Sequence, residues 1–114
     1  MANSFTEMIT FQVKPDKIAE FEAKIASLKS EMSDCPGCTG IHIFKRFYTF
    51  DGVELGQPPR EITKIIKCVK YFAYWEFDSI ENCGTANGWL FENHSKEIFK
   101  LLIIPFELNS GFSL

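Results

Sequence analysis

The 114-residue sequence has only two histidines and no long apolar run, and its basic residues are not concentrated in any one segment. No apolar stretch approaches the roughly 20 residues that a membrane-spanning helix needs. Twelve lysines and arginines are scattered among fifteen acids, giving a net charge of −3, which argues against a nucleic-acid partner. Residues 1–7 lack the basic and apolar segments of a signal peptide. We therefore expect a cytoplasmic protein with no membrane partner, whose four cysteines are reduced.

Aromatic residues are what the chain has in excess, with twelve Phe, three Tyr and two Trp. The composition is otherwise 46% hydrophobic and 24% charged, which is typical of a globular protein and unlike a disordered one. A chain of this length is enough for one domain, so we expect a single domain over residues 1–114. Because a small core needs fewer rings than this, some of them are expected to line a pocket or a subunit interface.

The first half of the chain predicts a strand, a helix and a second strand. Residues 5–14 alternate between two faces, which predicts a strand with one buried side. Glu7, Ile9, Phe11 and Val13 face one way, and the residues between them face the other. Pro15 and Asp16 then open a helix, in which apolar residues recur at helical spacing as far as Met32. Proline and glycine in the following loop end the helix, and a strand is predicted over residues 41–49.

The middle of the chain is less regular. A polar loop rich in glycine and proline covers residues 51–59. Residues 61–69 are ambiguous, because lysines three positions apart suit a helix whereas the β-branched Ile62, Ile65, Ile66 and Val69 favour a strand. Residues 71–77 predict a strand without such ambiguity.

A second helix and a last strand complete the predicted order. Residues 78–81 resemble a capping box, which marks a helix start. Gly84 and Gly88 weaken the helix, so we expect two pieces with a break near residues 87–88 and Ser95 capping the second piece. Pro105 ends this helix, and the last strand follows. The order is β-α-β-β-α-β, an α+β ferredoxin-like fold with a four-stranded antiparallel sheet.

This order leaves one face of the sheet uncovered by the chain itself. Two helices can cover only one face of a four-stranded sheet, yet the sequence places apolar and aromatic residues on both. Two such sheets can pack face to face around a symmetry axis. We therefore expect a homodimer.

Several short motifs, in order along nearly the whole chain, resemble one known family. They are Val-Lys-Pro-Asp-Lys at residues 13–17, Pro-Gly-Cys at 36–38, Tyr-Trp-Glu at 74–76 and Trp-Leu-Phe-Glu-Asn-His at 89–94. In these four motifs the chain resembles the antibiotic biosynthesis monooxygenase superfamily, including its quinol monooxygenase branch. The resemblance implies a dimeric α/β barrel that oxidises a small aromatic or quinol-like substrate with O₂ and without a metal or flavin cofactor.

Two other classes of function are compatible with the same scaffold. Members of this superfamily also isomerise small molecules, degrade haem or have no known reaction. The first strand has no asparagine and no histidine follows residue 94, which removes the residues that haem-degrading members use. An isomerase or tautomerase would use the same base without oxygen, and a ligand-binding dimer would not convert its ligand at all.

His94 is the expected catalytic base, because an imidazole titrates near neutral pH and can take a phenolic proton. The aromatic and histidine side chains expected to bind the substrate are Trp89, Tyr74, His42, Phe44 and Trp75. Each has a structural alternative: Trp75 suits a core position, for example, and His94 suits a helix junction. Arg46 and Arg60 are weaker candidates for holding an anionic substrate group.

Cys35 and Cys38 form a Cys-Pro-Gly-Cys motif that invites a redox or metal role. A redox-active pair places its first cysteine at a helix N-terminus, where the helix dipole stabilises a thiolate. Here the pair follows a helix C-terminus, where the dipole has the opposite sign. Cys68 and Cys83 are isolated and do not complete a zinc site. We expect a loop with incidental thiols and no bound metal.

Overall fold

The structure, a computed structural model, describes residues 4–64 and 67–114. The elements are β1 (Phe5–Val13), a 3₁₀ turn (Pro15–Lys17), α1 (Ile18–Ser33), β2 (Cys38–Lys45), β3 (Tyr48–Thr49), β4 (Arg60–Glu61), β5 (Val69–Phe77), α2 (Ile80–Phe99) and β6 (Glu107–Phe112). They confirm the α+β ferredoxin-like fold, with a four-stranded antiparallel sheet in the order β2-β5-β1-β6. Strands β3 and β4 form a separate two-stranded ribbon.

The core lies between the two helices and one face of the sheet. Every second residue of β1 and β5 is buried there, as strand periodicity requires. The helices contribute the buried side chains Phe21, Ile25, Leu28 and Met32 from α1 and Cys83, Ala86, Leu90 and Ile98 from α2. Burying a large apolar side chain contributes about 1.5–3 kcal/mol, so these stripes are what hold the helices on the sheet.

The prediction for strand two and the loop after it needs correction. The strand was expected over residues 41–49, but β2 ends at Lys45. The chain then leaves the sheet, and Tyr48–Thr49 pairs with Arg60–Glu61 in the separate ribbon, because the polar loop turns back on itself there. Of the ambiguous residues 61–69, the first belongs to β4 and the last begins β5. The interpretation of residues 65 and 66 lies outside the described residues.

The expected break in the second helix is also wrong. Helix α2 runs without interruption from Ile80 to Phe99, and Ser95 lies inside it, donating a hydrogen bond to the Phe91 carbonyl. Gly84 and Gly88 each cost a helix about 1 kcal/mol relative to alanine. Four buried side chains on the face of α2 that packs on the core outweigh that cost. The helix begins one residue later than the predicted box, with Ser79 Oγ accepting from the Asn82 amide at 3.1 Å.

Candidate functional site

The residues predicted to form one site lie in three different places. His94 and Trp89 are on α2, beside α1. Trp75 is in the core under the helices. His42, Phe44 and Tyr74 lie on the opposite face of the sheet, where no helix covers them, because each alternates with a core-facing neighbour on its strand.

His94 is held between the two helices by charged residues. Its Nδ1 is 2.9 Å from Lys24 Nζ and its Nε2 is 3.8 Å from Glu31 Oε2, while the side chain is 13% exposed. A lysine ammonium can only donate, so Nδ1 accepts and the neutral ring carries its proton on Nε2. Lys24 also pairs with Glu97 at 2.9 Å. The basic nitrogen of His94 is therefore already engaged within the protein.

Trp89 and Trp75 have different surroundings. The Trp89 ring meets the His94 ring edge to face, with 5.1 Å between centroids, and remains partly exposed. Trp75 is 0% exposed, and its Nε1 donates to the Met32 carbonyl at 3.2 Å. It also packs on Phe77, with 4.9 Å between centroids. The structure thus places Trp75 in the core, with its polar atom satisfied.

The uncovered face of the sheet carries an aromatic cluster. Phe44 stacks on Tyr74 with a 6.2 Å centroid distance and a 13° angle between rings, and lies 5.4 Å from the Phe72 ring. His42 is adjacent, 6.4 Å from Phe44. Phe44 and Tyr74 are 42% and 37% exposed. These rings form an open apolar surface in the single chain.

A buried carboxylate, not weighed as a site residue in the sequence analysis, lies between β1 and α2. Glu7 is 3% exposed, and its Oε1 accepts a 2.7 Å hydrogen bond from Asn87 Nδ2. The same Nδ2 donates to the Cys83 carbonyl at 2.9 Å. Within the described residues, Glu7 Oε2 and Asn87 Oδ1 are buried without a hydrogen-bond partner. Buried polar groups are nearly always paired, so these two acceptors have hydrogen-bonding capacity that the described residues leave unused.

The surroundings of this cluster shift its acidity. Burial raises the pKa of Glu7 above its ordinary value, and the hydrogen bond from Asn87 opposes that rise in part. Burial also raises the pKa of the Cys83 thiol to about 11, with a further contribution from the charge of Glu7. The thiol therefore stays protonated near neutral pH, and Glu7 is the group at this position that can exchange a proton.

The strand β6, which pairs with β1 beside Glu7, is exposed along its whole length. Residues directly opposite in an antiparallel pair share a face, and Glu7 is opposite Ser110. We call the helix-side positions Leu108, Ser110 and Phe112 the β6 shelf. Leu108 is 38% and Phe112 60% exposed, and Phe112 meets the Phe5 ring edge to face at 5.0 Å. The shelf is an apolar surface next to a buried acid.

Two sequence signals could have identified this cluster. The alternation of β1 places a carboxylate among apolar residues on the buried side, where an unpaired glutamate is rare. Asn87 follows Cys83 by one helical turn, on the face that packs inward. The sequence alone does not show that Glu7 and Asn87, which are 80 positions apart, are in contact.

The raised pKa of Glu7 makes a prediction about stability. A raised pKa means that the folded state binds the proton of Glu7 more tightly than the unfolded state does. The stability that this gives is fully present below pH 4.5, the ordinary pKa, and is lost as the pH rises through the raised pKa of the folded state. We expect Glu7→Gln to gain stability relative to the wild type as pH rises from 4 to 8, measured by urea unfolding. Acids with a lowered pKa, such as Glu22 beside Tyr71, are present in both proteins, so their effects on stability cancel in the difference between wild type and variant. A constant difference between the two proteins across this range would contradict the assignment.

The Cys35–Cys38 segment is a tight turn between α1 and β2. The Cys38 amide donates to the Cys35 carbonyl at 3.1 Å, and all four cysteines are free thiols. Gly37 has φ +82°, and a Cβ there would lie 2.2 Å from Asn82 Nδ2, so the turn requires glycine. Burial, and then the neighbouring Cys38, raise the pKa of the Cys35 thiol. These features give the motif a structural role.

Membrane-spanning helices and metal-ligand groups are both absent from the described residues. Within residues 4–64 and 67–114, no helix is long and apolar enough to cross a membrane. In the same ranges, no three His, Cys, Asp or Glu side chains are grouped as metal ligands.

Comparison with known proteins shows a similarity to one family over the first part of the chain. The family model described as antibiotic biosynthesis monooxygenase matches residues 4–51, which contain β1, α1 and β2. No curated protein matches the sequence. This match confirms the resemblance over residues 4–51, and the motifs at residues 74–76 and 89–94 lie outside it. Solved structures show the same fold over nearly the whole chain.

Those structures cover nearly the whole chain at low identity. Rv0793 from Mycobacterium tuberculosis is 13% identical with a TM-score of 0.70, over 97% of this chain and 95% of that one. SnoaB, a cofactor-independent oxygenase from Streptomyces nogalater, is 18% identical with a TM-score of 0.67, over 98% and 94%. A conserved protein from Methanosarcina mazei Go1 is 20% identical with a TM-score of 0.65, over 99% and 95%. These likenesses show a shared fold.

Proposed function

We propose that this chain is a cofactor-independent monooxygenase that oxidises a small phenolic or quinol-like substrate with O₂. The observation that carries the proposal is the Glu7 carboxylate, buried with one oxygen unpaired and lying beside the apolar β6 shelf. The match to the antibiotic biosynthesis monooxygenase family supports the reaction class, as does the fold shared with a cofactor-independent oxygenase.

Glu7 is the proposed proton acceptor. A carboxylate removed from water has a raised pKa and is a stronger base than an exposed one. Asn87 holds Oε1, which leaves Oε2 for the substrate hydroxyl, and Asn87 Oδ1 can accept a second hydroxyl. A flat ring lies on the shelf against Phe112. Asn87 is thus a positioning residue as well as a contact for a quinol.

The reaction balances without an external reductant. Glu7 takes the hydroxyl proton, the phenolate gives one electron to O₂, and the two radicals join in a carbon–oxygen bond. Glu7 returns its proton to the outer peroxide oxygen. The ring carbon then loses its proton, the O–O bond breaks and water leaves, so that a phenol and O₂ give a quinone and one water. The substrate supplies all four electrons, and the apolar surroundings disfavour leakage of the intermediates to water.

His94 remains the second candidate for the proton acceptor. It lies against Trp89, which can stack on a flat ring, at the junction of the two helices. Use of this position would require His94 Nδ1 to leave Lys24. Glu7 is preferred because its Oε2 makes no hydrogen bond within the described residues, whereas Nδ1 of His94 already contacts Lys24.

We propose a homodimer in which the uncovered sheet faces meet. The exposed rings of Phe44 and Tyr74, with Phe72 and His42 beside them, form an apolar surface that water solvates poorly. Pairing two copies would bury these rings and close the barrel that the family resemblance implies. This gives Phe44, Tyr74 and His42 a place at the interface or in a shared barrel interior.

The test is oxygen uptake by the purified protein over a panel of hydroquinones and phenols, after metal chelation and without added flavin. We expect uptake with at least one member and formation of a quinone that contains one oxygen atom more than the substrate. Conversion to an isomer with no oxygen consumed would instead indicate an isomerase. Binding without turnover of any panel member would indicate a ligand-binding protein.

A further inference from the structure

A concave surface lies at the other end of the sheet from Glu7. It is a groove of about 690 Å³ between the ends of β2 and β5 and the β3–β4 ribbon. Val69, at this end of β5, is opposite Val13, whereas Glu7 is opposite Trp75. Six residues of strand separate the two positions, which is roughly 20 Å at the rise of a β-strand. The groove is therefore distinct from the Glu7 cluster.

The fold gathers in this groove basic residues that are scattered along the sequence. Six of the chain's twelve lysines and arginines line it, with Asp51 as the one acid. They are Lys45, Arg46, Arg60, Lys64, Lys67 and Lys70. Residues that are scattered along the sequence are therefore close together in the fold. Arg46 and Arg60, the weaker candidates for holding an anionic group, both line this groove.

Most of this charge is not neutralised by the protein. Lys45 pairs with Glu22 at 3.1 Å, and Arg60 contacts Asp51 at 3.9 Å. In the part of the chain that the structure describes, the other four have no carboxylate oxygen within 4.0 Å: Arg46, Lys64, Lys67 and Lys70. Four like charges around one concavity repel one another and raise the local concentration of anions. A ligand with several negative charges would relieve this repulsion.

The groove also has an apolar part. Phe47, Ile62 and Val69 line it together with the basic residues. Lys45 Nζ lies 5.2 Å from the centre of the Phe47 ring, so positive charge and aromatic surface are adjacent. Inorganic ions would use the charges alone, whereas an organic anion would use both. The volume is in the range of sites for small molecules and cofactors.

We propose that this groove binds a small organic phosphate that carries at least two negative charges and a flat or apolar body. The phosphates contact Arg46, Lys64, Lys67 and Lys70, and the body lies against Phe47 and Ile62. The arginine fork matches a phosphate through two hydrogen bonds, and the lysines act as point charges. This site does not depend on the oxygenase proposal, because it shares no residue with the Glu7 cluster.

The test is calorimetric titration of the full chain with three probes. ADP carries both charge and a flat body, inorganic pyrophosphate carries charge alone, and adenosine carries the body alone. We expect affinity in the order ADP, pyrophosphate, adenosine, and weaker ADP binding at higher salt. The double variant Arg46→Gln/Lys67→Gln should bind ADP about a hundredfold more weakly, since each charged hydrogen bond lost costs about tenfold or more.

The control removes two cations elsewhere, in Lys29→Gln/Lys96→Gln, which has the same change of net charge. Equal weakening in the control would show a general charge effect and overturn the site, as would an absence of ADP binding to the wild type. Much tighter binding of a single-stranded oligonucleotide, growing with its length, would overturn the small-molecule proposal in favour of a nucleic-acid surface. All four substituted residues are exposed, and urea unfolding verifies that both double variants fold.

Discussion

Replacing Glu7 with glutamine is expected to slow oxygen uptake by about 10²–10⁴-fold, the usual contribution of a general base. Glutamine has the size of glutamate, and its carbonyl oxygen can still accept the hydrogen bond from Asn87 Nδ2. The change thus removes the basic group and keeps the shape of the cluster. The measurement is the initial rate of oxygen uptake on the best panel substrate, at saturating concentration.

The matched variant for this experiment is His94→Ala, at the other candidate base. We expect it to retain most of the wild-type rate, because His94 lies at the helix junction with its Nδ1 bonded to Lys24. A loss of activity in His94→Ala with full activity in Glu7→Gln would transfer the role of base to His94. Full activity in both variants would leave the reaction without either base and contradict the proposed mechanism.

Replacing Trp75 with alanine is expected to lower the free energy of unfolding by about 3–5 kcal/mol. Its side chain is 0% exposed and contacts the Phe77 ring, and its loss would leave a cavity under α1. The Met32 carbonyl would also lose the hydrogen bond from Trp75 Nε1. Urea unfolding monitored by circular dichroism measures the change.

Trp89→Ala is the control for this effect. Trp89 is partly exposed and packs on the edge of the core, so its loss should cost clearly less. If the two variants proved equally stable, the core placement of Trp75 would be wrong. The free energy of unfolding of Trp75→Phe should lie between those of the wild type and Trp75→Ala. Phenylalanine fills part of the space but cannot donate a hydrogen bond to the Met32 carbonyl.

The first strand and first helix could be predicted closely from the sequence. Alternation over residues 5–14 and helical spacing through Met32 both report burial against a single core, so local pattern and tertiary structure agree. The same reasoning placed the strand at residues 71–77, which β5 extends by two residues at its start. These elements decide the fold, and the uncovered sheet face follows from them.

The second helix shows where local reasoning fails. Gly84 and Gly88 predicted a break because helix propensity was counted residue by residue. Tertiary packing of Cys83, Ala86 and Leu90 outweighs that local cost, and it is not visible from propensity alone. Because the helix is continuous, His94 lies within α2 and not beside a break as expected.

The candidate site was predicted in part only. Trp75, Tyr74 and His94 are each near an expected element, yet the two faces of the sheet and the helix junction separate them. Which strand residue faces which helix residue depends on long-range packing, and Glu7 meets Asn87 from 80 positions away. A glutamate within a buried apolar alternation was the available signal.

The most direct test of the proposed reaction is turnover of the best panel substrate under ¹⁸O₂, followed by mass spectrometry of product and water. Monooxygenation predicts one ¹⁸O atom in the quinone product and the other in water, with both signals reduced together in Glu7→Gln. Quinone formed without ¹⁸O, with the label recovered as hydrogen peroxide, would contradict it. Such a result would show simple oxidation of the substrate instead of oxygen insertion.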